Sequence, residues 1–420
     1  MYILVKMVNN VNKADNMNEK DDELADCQRY KTFQQNVADA WNLEEEDEFA
    51  DCVEFVKSPL VLQLEDRFLT MDMTVLQELS WQGIPPARRA NIWRLLLGYV
   101  PMDLNHRKRM QKWKQEKYWN LADQYYGTRY SQVHQRIYQQ IQLDIPRTEP
   151  KILSRQPMIQ EMLKRILYLW SFHHPVPGYV QGMNDCVILF LVVFMQELFG
   201  EDSNVEDYCI HTLPEDDRKN IEADTFWCLT KLLSGILDYY IPDQPGIQDR
   251  VHRLEVLIQR VDIELHQHFR KTQIEYIHFA FRWMNNLLVR ELPLKCSIRL
   301  WDTYLSLINT FADFHVYTCA AFLLQWREPL LQLGDFGSIM MLILNPPTQS
   351  WSDRNITEML DKAYQLQSQF PRLLPGNFRP SDQEIPQIDP SQRRKRQRLR
   401  HVMDWFYSRA KMVLPGKFAD

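Results

Sequence analysis

The chain has 420 residues, 45% of them hydrophobic and 25% charged, and a formal net charge of −6. This is the composition of a globular chain able to bury a sizeable core, with no global attraction to nucleic acid. The seven cysteines are odd in number and include no Cys-x-x-Cys pair. That argues against a disulfide framework or zinc site and for a reducing intracellular compartment.

Residues 1–73 read as an acidic, largely flexible N-terminal region. Asp21, Asp22 and Glu23 are followed by the run Glu44 to Glu48, which favours a solvated arm over one that binds a partner. Lys6 is followed by polar and acidic residues, so this end does not read as a signal peptide. Apolar residues between 58 and 70 are expected to pack on the domain that follows. The longest apolar run, Cys186 to Met195, is about half of the ~20 residues a membrane span needs and reads as a buried helix.

Glycine is scarce, with 12 residues, and no Asn-Gly or Asp-Gly hairpin signal is present. Apolar residues instead recur at helical spacing, so the expected fold is all-α. A short helix over Thr74–Ser80 opens it. A second begins at Pro85 or Pro86, where the missing N–H costs nothing, and places Arg89 and Trp93 four apart on one face. Trp93 reads as core and Arg89 as a buried or half-buried ion-pair partner. A basic helix over about 105–125 follows, carrying Arg107, Lys108, Arg109, Lys112, Lys114 and Lys117. It reads as a solvated face, with docking of an acidic partner as the alternative.

Val133, Ile137 and Ile141 mark the next helix, which must end near Pro146 because proline disfavours helix at the residue before it. Arg147 therefore falls just past a helix C-terminus, with Asp144 three residues earlier. On residue physics alone Arg147 is an exposed loop cation, which Asp144 could hold by a charge-assisted hydrogen bond. A helix over 157–174 ends in His173-His174-Pro175-Val-Pro177. The two histidines have no carboxylate or cysteine at ligand spacing, so a helix-terminal role is expected rather than a metal site.

Gly178-Tyr-Val-Gln181-Gly-Met-Asn-Asp185 then leads into the apolar run. Gly178 and Gly182 permit conformations that other residues avoid, and Asn184 and Asp185 are good N-cap residues. Gln181 is thus expected on a short loop anchored by a core helix. Further helices are expected over 221–240, 247–269, 273–290, from Ser297, over Phe314–Trp326 and, more weakly, over 335–343 and 355–368. Pro371, Pro375 and Pro380 mark a linker. Residues 371–420 form this linker and a basic, aromatic tail with Arg393, Arg394, Lys395, Arg396, Arg398 and Arg400 followed by Trp405, Phe406 and Tyr407. The tail suits an anionic membrane, an adaptor, nuclear import or a fold-back on the acidic domain surface.

No Gly-x-x-x-x-Gly-Lys-Ser/Thr, Gly-x-Ser-x-Gly, His-Glu-x-x-His or dinucleotide fingerprint is present. A self-contained active site is therefore poorly supported. An exposed arginine and a loop-held glutamine suit chemistry that belongs to another protein.

Three segments together resemble the TBC domain, the family of GTPase-activating proteins for Rab/Ypt GTPases. They are Gly-Ile-Pro-x-x-x-Arg89-x-x-x-Trp93, Ile141-x-x-Asp144-x-x-Arg147 and Tyr179-x-Gln181. The runs around Asn220–Trp227, Pro245-Gly-Ile-Gln, Phe279–Leu288 and Ile298–Tyr304 are similar to the member-22 branch of that family and its yeast Golgi relative. The resemblance spans about residues 74–330, and implies one TBC domain over 74–370 with a motif-bearing core over about 81–330. Met183 and Cys186 vary the usual residues around the glutamine loop, and both read as core.

The resemblance implies that Arg147 is an arginine finger and Gln181 a glutamine finger, both supplied in trans to a Rab GTPase in its GTP form. It further implies that Asp144, with Arg89 beside it, holds the finger loops and that Tyr179 supports Gln181. Gly178, Gly182, Asn184, Asp185 and Trp93 shape the surroundings. The protein would activate the GTPase rather than act as a self-contained enzyme, with no cofactor or metal of its own, acting on Rab-bound GTP and Mg2+ in vesicle trafficking. A cytoplasmic location, peripheral on Golgi or other endomembranes, follows from the same branch. The alternative is a catalytically silent TBC-fold scaffold that binds a Rab or a Golgi adaptor.

Overall fold

A computed structural model describes residues 72–200 and 203–371, and among them the secondary structure is helical throughout, with no strand. The acidic arm, the apolar stretch 58–70 and the basic tail lie outside the described residues. Chain order gives α1 Met73–Trp81, α2 Pro86–Leu96, α3 Leu104–Tyr125 and α4 Gln135–Asp144. A 3-10 turn over Ile145–Arg147 and a single α-turn over Lys151–Ser154 lead to α5, Pro157–His173. Next come α6 Met183–Phe199, α7 Glu215–Ser234, α8 Pro245–Val261, α9 Ile263–Lys271 and α10 Ile277–Asn286. The fold finishes with α11 Leu294–Ser306, α12 Phe311–Leu324, α13 Arg327–Gln332, α14 Phe336–Leu344 and α15 Asp353–Gln369.

The apolar run becomes the axis of the domain. Every residue of α6 from Met183 to Met195 is buried, and α2, α5, α7, α10 and α11 pack around it. A helix that is apolar all round must be covered on all sides. No helix among the described residues is long and apolar enough to cross a membrane.

Several helix ends follow directly from local chemistry. Pro86 occupies the first position of α2, where its absent N–H is no loss. Asp103 caps α3 by accepting from the Asn105 N–H at 2.9 Å, and Ser352 and Asn355 close a capping box on α15.

Three expectations need correction. The helix expected over 247–269 is two helices, because Asp262 leaves helical geometry and its carboxylate caps α9 by accepting from the Leu265 N–H at 2.9 Å. The segment 273–290 holds a helix only over Ile277–Asn286, ended by Leu287 in the left-handed region. Lys114 is not on a solvated face: it is 2% exposed, and Nζ donates to the Tyr99 carbonyl at 3.1 Å over the Tyr99 ring. A buried ammonium needs such a partner, and the basic pattern alone could not distinguish it from its exposed neighbours.

Candidate functional site

Arg147 ends the 3-10 turn that Pro146 forces after α4. Its side chain is 50% exposed, and Nη1 stands 3.9 Å from Asp144 Oδ1. That is a loose ion pair, which biases the guanidinium without consuming its donors. Asp144 itself is buried, and burial pushes its carboxyl above the usual carboxylate range, opposed by the hydrogen bond from Tyr179 and by the charges of Arg147 and Arg290.

The glutamine loop runs from Gly178 to Gly182, between α5 and α6. Both glycines are left-handed, with φ +70° and +110°. Gly182 also acts as the N-cap of α6, and a Cβ there would run into the Asn285 side chain. Two independent constraints thus call for glycine at this one position. The Gln181 side chain is exposed, while its backbone carbonyl accepts from Asn285 Nδ2 at 2.7 Å.

A buried hydrogen-bond network joins the two loops. The Tyr179 hydroxyl donates to Asp144 Oδ2 at 3.1 Å and lies 3.2 Å from Asn184 Oδ1. Asn184 Oδ1 also accepts from the Gly182 N–H at 3.1 Å, and its Nδ2 donates to Thr148 Oγ1 at 2.8 Å and to Asp185 Oδ1 at 3.1 Å. Asp185 is gripped by Arg290, Nε to Oδ2 at 2.6 Å. Burial pushes the Asp185 carboxyl upward, and the Arg290 charge pulls it back. Asn184 and Asp185 are therefore not N-caps. They lie in the first turn of α6, and their side chains fasten the loops on either side.

Arg89 pairs with Asp302, not with Asp144. Its Nε donates to Asp302 Oδ1 at 3.1 Å and its Nη2 to the Ile84 carbonyl at 2.6 Å. Asp302, fully buried, also accepts from the Ile84 N–H at 2.9 Å and from Trp93 Nε1 at 2.8 Å. A buried guanidinium must take the nearest carboxylate, and that carboxylate stands on α11. Arg89 and Trp93 thus fasten α2 to α11, and the Trp93 ring meets Phe190 of α6 edge-on with centroids 5.6 Å apart.

The histidine pair closes α5 as expected. His174 stacks on Trp170 at 4.2 Å, and burial pushes His173 down to about 3 and His174 to about 4, so both are neutral near pH 7. Among the described residues no group of three His, Cys, Asp or Glu could hold a metal ion.

Thr148, Asn285, Arg290 and Asp302 are site or support residues that the sequence reading did not assign. Thr148 directly follows Arg147 and Asp302 stands inside a quoted run, but neither has a local pattern that marks its role. Asn285 and Arg290 reach the site from more than a hundred residues away in sequence.

The arrangement presents one guanidinium and one carboxamide outward, on two backbones tied together underneath. It offers no nucleophile–base pair. Groups of this kind can neutralise developing negative charge and orient a small polar molecule.

The chain is similar over most of its length to several known proteins. The model of the Rab-GTPase-TBC domain matches residues 86–331. The human protein "TBC1 domain family member 22B" is 49% identical over 300 residues, covering 71% of this chain and 59% of that protein. The "GTPase-activating protein gyp1" of Schizosaccharomyces pombe is 41% identical over 304 residues, with coverage of 71% and 59%. The chain thus spans 59% of the length of either relative. The crystal structure of the Ypt/Rab-GAP domain of Gyp1p is similar with a TM-score of 0.68 at 38% identity, covering 75% of this chain and all of that one.

Proposed function

Since the chain belongs to the Rab-GTPase-TBC domain family, we propose that it accelerates GTP hydrolysis by a Rab/Ypt small GTPase, lending Arg147 and Gln181 in trans. One observation carries the reading above all. Arg147 and Gln181 are both exposed, yet the backbones that present them are joined by the buried Tyr179–Asp144 hydrogen bond.

Hydrolysis spreads negative charge over the γ-phosphoryl oxygens and the departing β–γ bridge. The Arg147 guanidinium, only loosely engaged by Asp144, is free to place its donors on those oxygens. A supplied arginine is worth about 10³–10⁵ in rate for such GTPases, or roughly 4–7 kcal/mol of barrier at ~1.4 kcal/mol per decade. The Gln181 carboxamide both donates and accepts, so it can hold the attacking water in line while supporting the active site. Bound GTP and Mg2+ belong to the GTPase, and this chain brings no cofactor of its own. A role in vesicle trafficking, on the cytoplasmic face of Golgi or other endomembranes, is part of the same proposal. So is contact of the basic tail with an anionic membrane or an adaptor.

The test is single-turnover hydrolysis by a panel of GTP-loaded Rabs, with the wild-type protein, Arg147→Ala and Gln181→Ala. Acceleration of one or a few Rabs, lost in both variants, is the expected result. Well-folded wild-type protein that accelerates no Rab would favour the silent scaffold instead.

A further inference from the structure

Two side chains reach the Gln181 loop from across the fold, and both come from residues 285–290. Asn285 Nδ2 donates to the Gln181 carbonyl at 2.7 Å. A carbonyl can meet only the donor end of that amide, so the orientation of Asn285 is determined by this contact. Arg290 holds Asp185, Nε to Oδ2 at 2.6 Å and Nη2 to Oδ1 at 3.3 Å. Gln181 is thus held at its own carbonyl and through the first turn of the helix that follows it.

Between these two residues the backbone adopts a conformation that leucine resists. Leu287 and Leu288 have φ +53° and +64°, the left-handed region where Cβ crowds the following carbonyl. Both side chains are fully buried, so packing imposes the conformation, which ends α10 and turns the chain back toward the loop. The stretch is anchored behind as well. Tyr240 Oη donates to the Asn285 carbonyl at 3.1 Å, Arg282 Nε pairs with Glu291 at 2.6 Å, and Thr348 Oγ1 donates to the Glu291 carbonyl at 2.6 Å. From the other side, Gly182 leaves room for Asn285, which any Cβ would displace.

We propose that residues 285–290 form a positioning clamp for Gln181, with Asn285 acting on its carbonyl and Arg290 acting through Asp185. The clamp rests on the two-finger reading for its catalytic meaning, but its mechanical part concerns this chain alone. A carboxamide must stand within a fraction of an ångström of its working place, since a misplacement of about 1 Å costs on the order of 10² in rate. Asn285 and Arg290 touch no reacting atom, and act by holding the loop that does.

The experiment uses the full chain as wild type, Asn285→Ala and Asn285→Asp, the second keeping the shape but removing the donor. Amide hydrogen exchange over residues 178–185 is expected to quicken about fivefold in Asn285→Ala, as loss of one hydrogen bond implies, and more in Asn285→Asp, with thermal unfolding little changed. Maximal stimulated hydrolysis is expected to fall about tenfold while the half-saturating concentration stays at the wild-type value, as for a misplaced group acting only in the transition state. In a Gln181→Ala background the same substitution is expected to cost nothing further. Unchanged exchange over 178–185 overturns the clamp whatever activity does. A rate loss that persists in full without Gln181 overturns it too. If the wild type accelerates no GTPase, the finger reading fails, and exchange over the loop still decides the clamp.

Discussion

The Tyr179 hydroxyl stands 3.1 Å from Asp144 Oδ2, and this one hydrogen bond ties together two loops whose residues are 35 apart in sequence. Asp144 precedes Arg147 by three residues and Tyr179 precedes Gln181 by two. The segments that present the two side chains are therefore linked by a buried contact that neither of them makes, and the Asn184–Thr148 hydrogen bond links them a second time.

Tyr179→Phe removes that contact and leaves the buried Asp144 carboxylate short of a donor. A loss of about 1–3 kcal/mol is expected, seen as a lower melting temperature, together with slower stimulated hydrolysis at unchanged GTPase affinity. A variant that melts and accelerates like the wild type would show that the bond does not govern the loops.

Arg147 is half exposed and its pairing with Asp144 is loose, so its removal should cost almost no stability. Arg147→Ala is expected to forfeit about 10³–10⁵ of the acceleration. Arg147→Lys keeps the charge but loses the planar fork, and should recover only a small part. Melting curves beside single-turnover rates test both, and full activity in the lysine variant would rule out a finger role.

Asp144 carries a pH dependence of definite sign. Its carboxyl lies above its ordinary range through burial, so the folded state takes up the proton first as pH falls. The charged form therefore opposes folding at neutral pH, and that cost is relieved as pH drops through the raised value. Asp144→Asn keeps an acceptor for Tyr179 and removes the charge. It should be at least as stable as the wild type at pH 7, with the difference shrinking toward pH 4, while stimulated hydrolysis falls modestly because the charge that biases the Arg147 guanidinium is gone. Urea denaturation at the two pH values decides it, and a variant clearly less stable at pH 7 would contradict the account.

Asp302 serves three donors at once, from Ile84, Arg89 and Trp93. Asp302→Ala orphans all of them and leaves a buried guanidinium unpaired, which costs about 3–5 kcal/mol. Protein yield and melting temperature should fall sharply, whereas activity per folded molecule should persist because the segments bearing Arg147 and Gln181 keep their own contacts. A stable Asp302→Ala variant would mean that the pairing between α2 and α11 contributes little.

Much of the site was legible because its signals are local. Pro146 stops α4 and so exposes Arg147, and Gly178 and Gly182 permit the loop that carries Gln181. What was misread shares a different cause. Residue physics makes Arg89 a buried ion-pair partner, which it is, but the resemblance puts it beside Asp144, whereas its carboxylate stands 213 residues away. Asn184 and Asp185 look like caps in a linear reading, yet their side chains serve Tyr179, Thr148 and Arg290.

The sequence by itself determined the helical class, the buried course of α6, the place where α4 stops and the loop presenting Gln181. Each of these depends on residues within a turn or two of one another, through periodicity, proline and glycine geometry, and capping. Tertiary structure alone decided which carboxylate each buried cation takes, that Asp144 meets Tyr179, and that Asn285 and Arg290 hold the glutamine loop. Those pairings join residues tens to hundreds of positions apart. A buried charge accepts whichever partner packing brings within hydrogen-bond reach, and no local pattern records that choice.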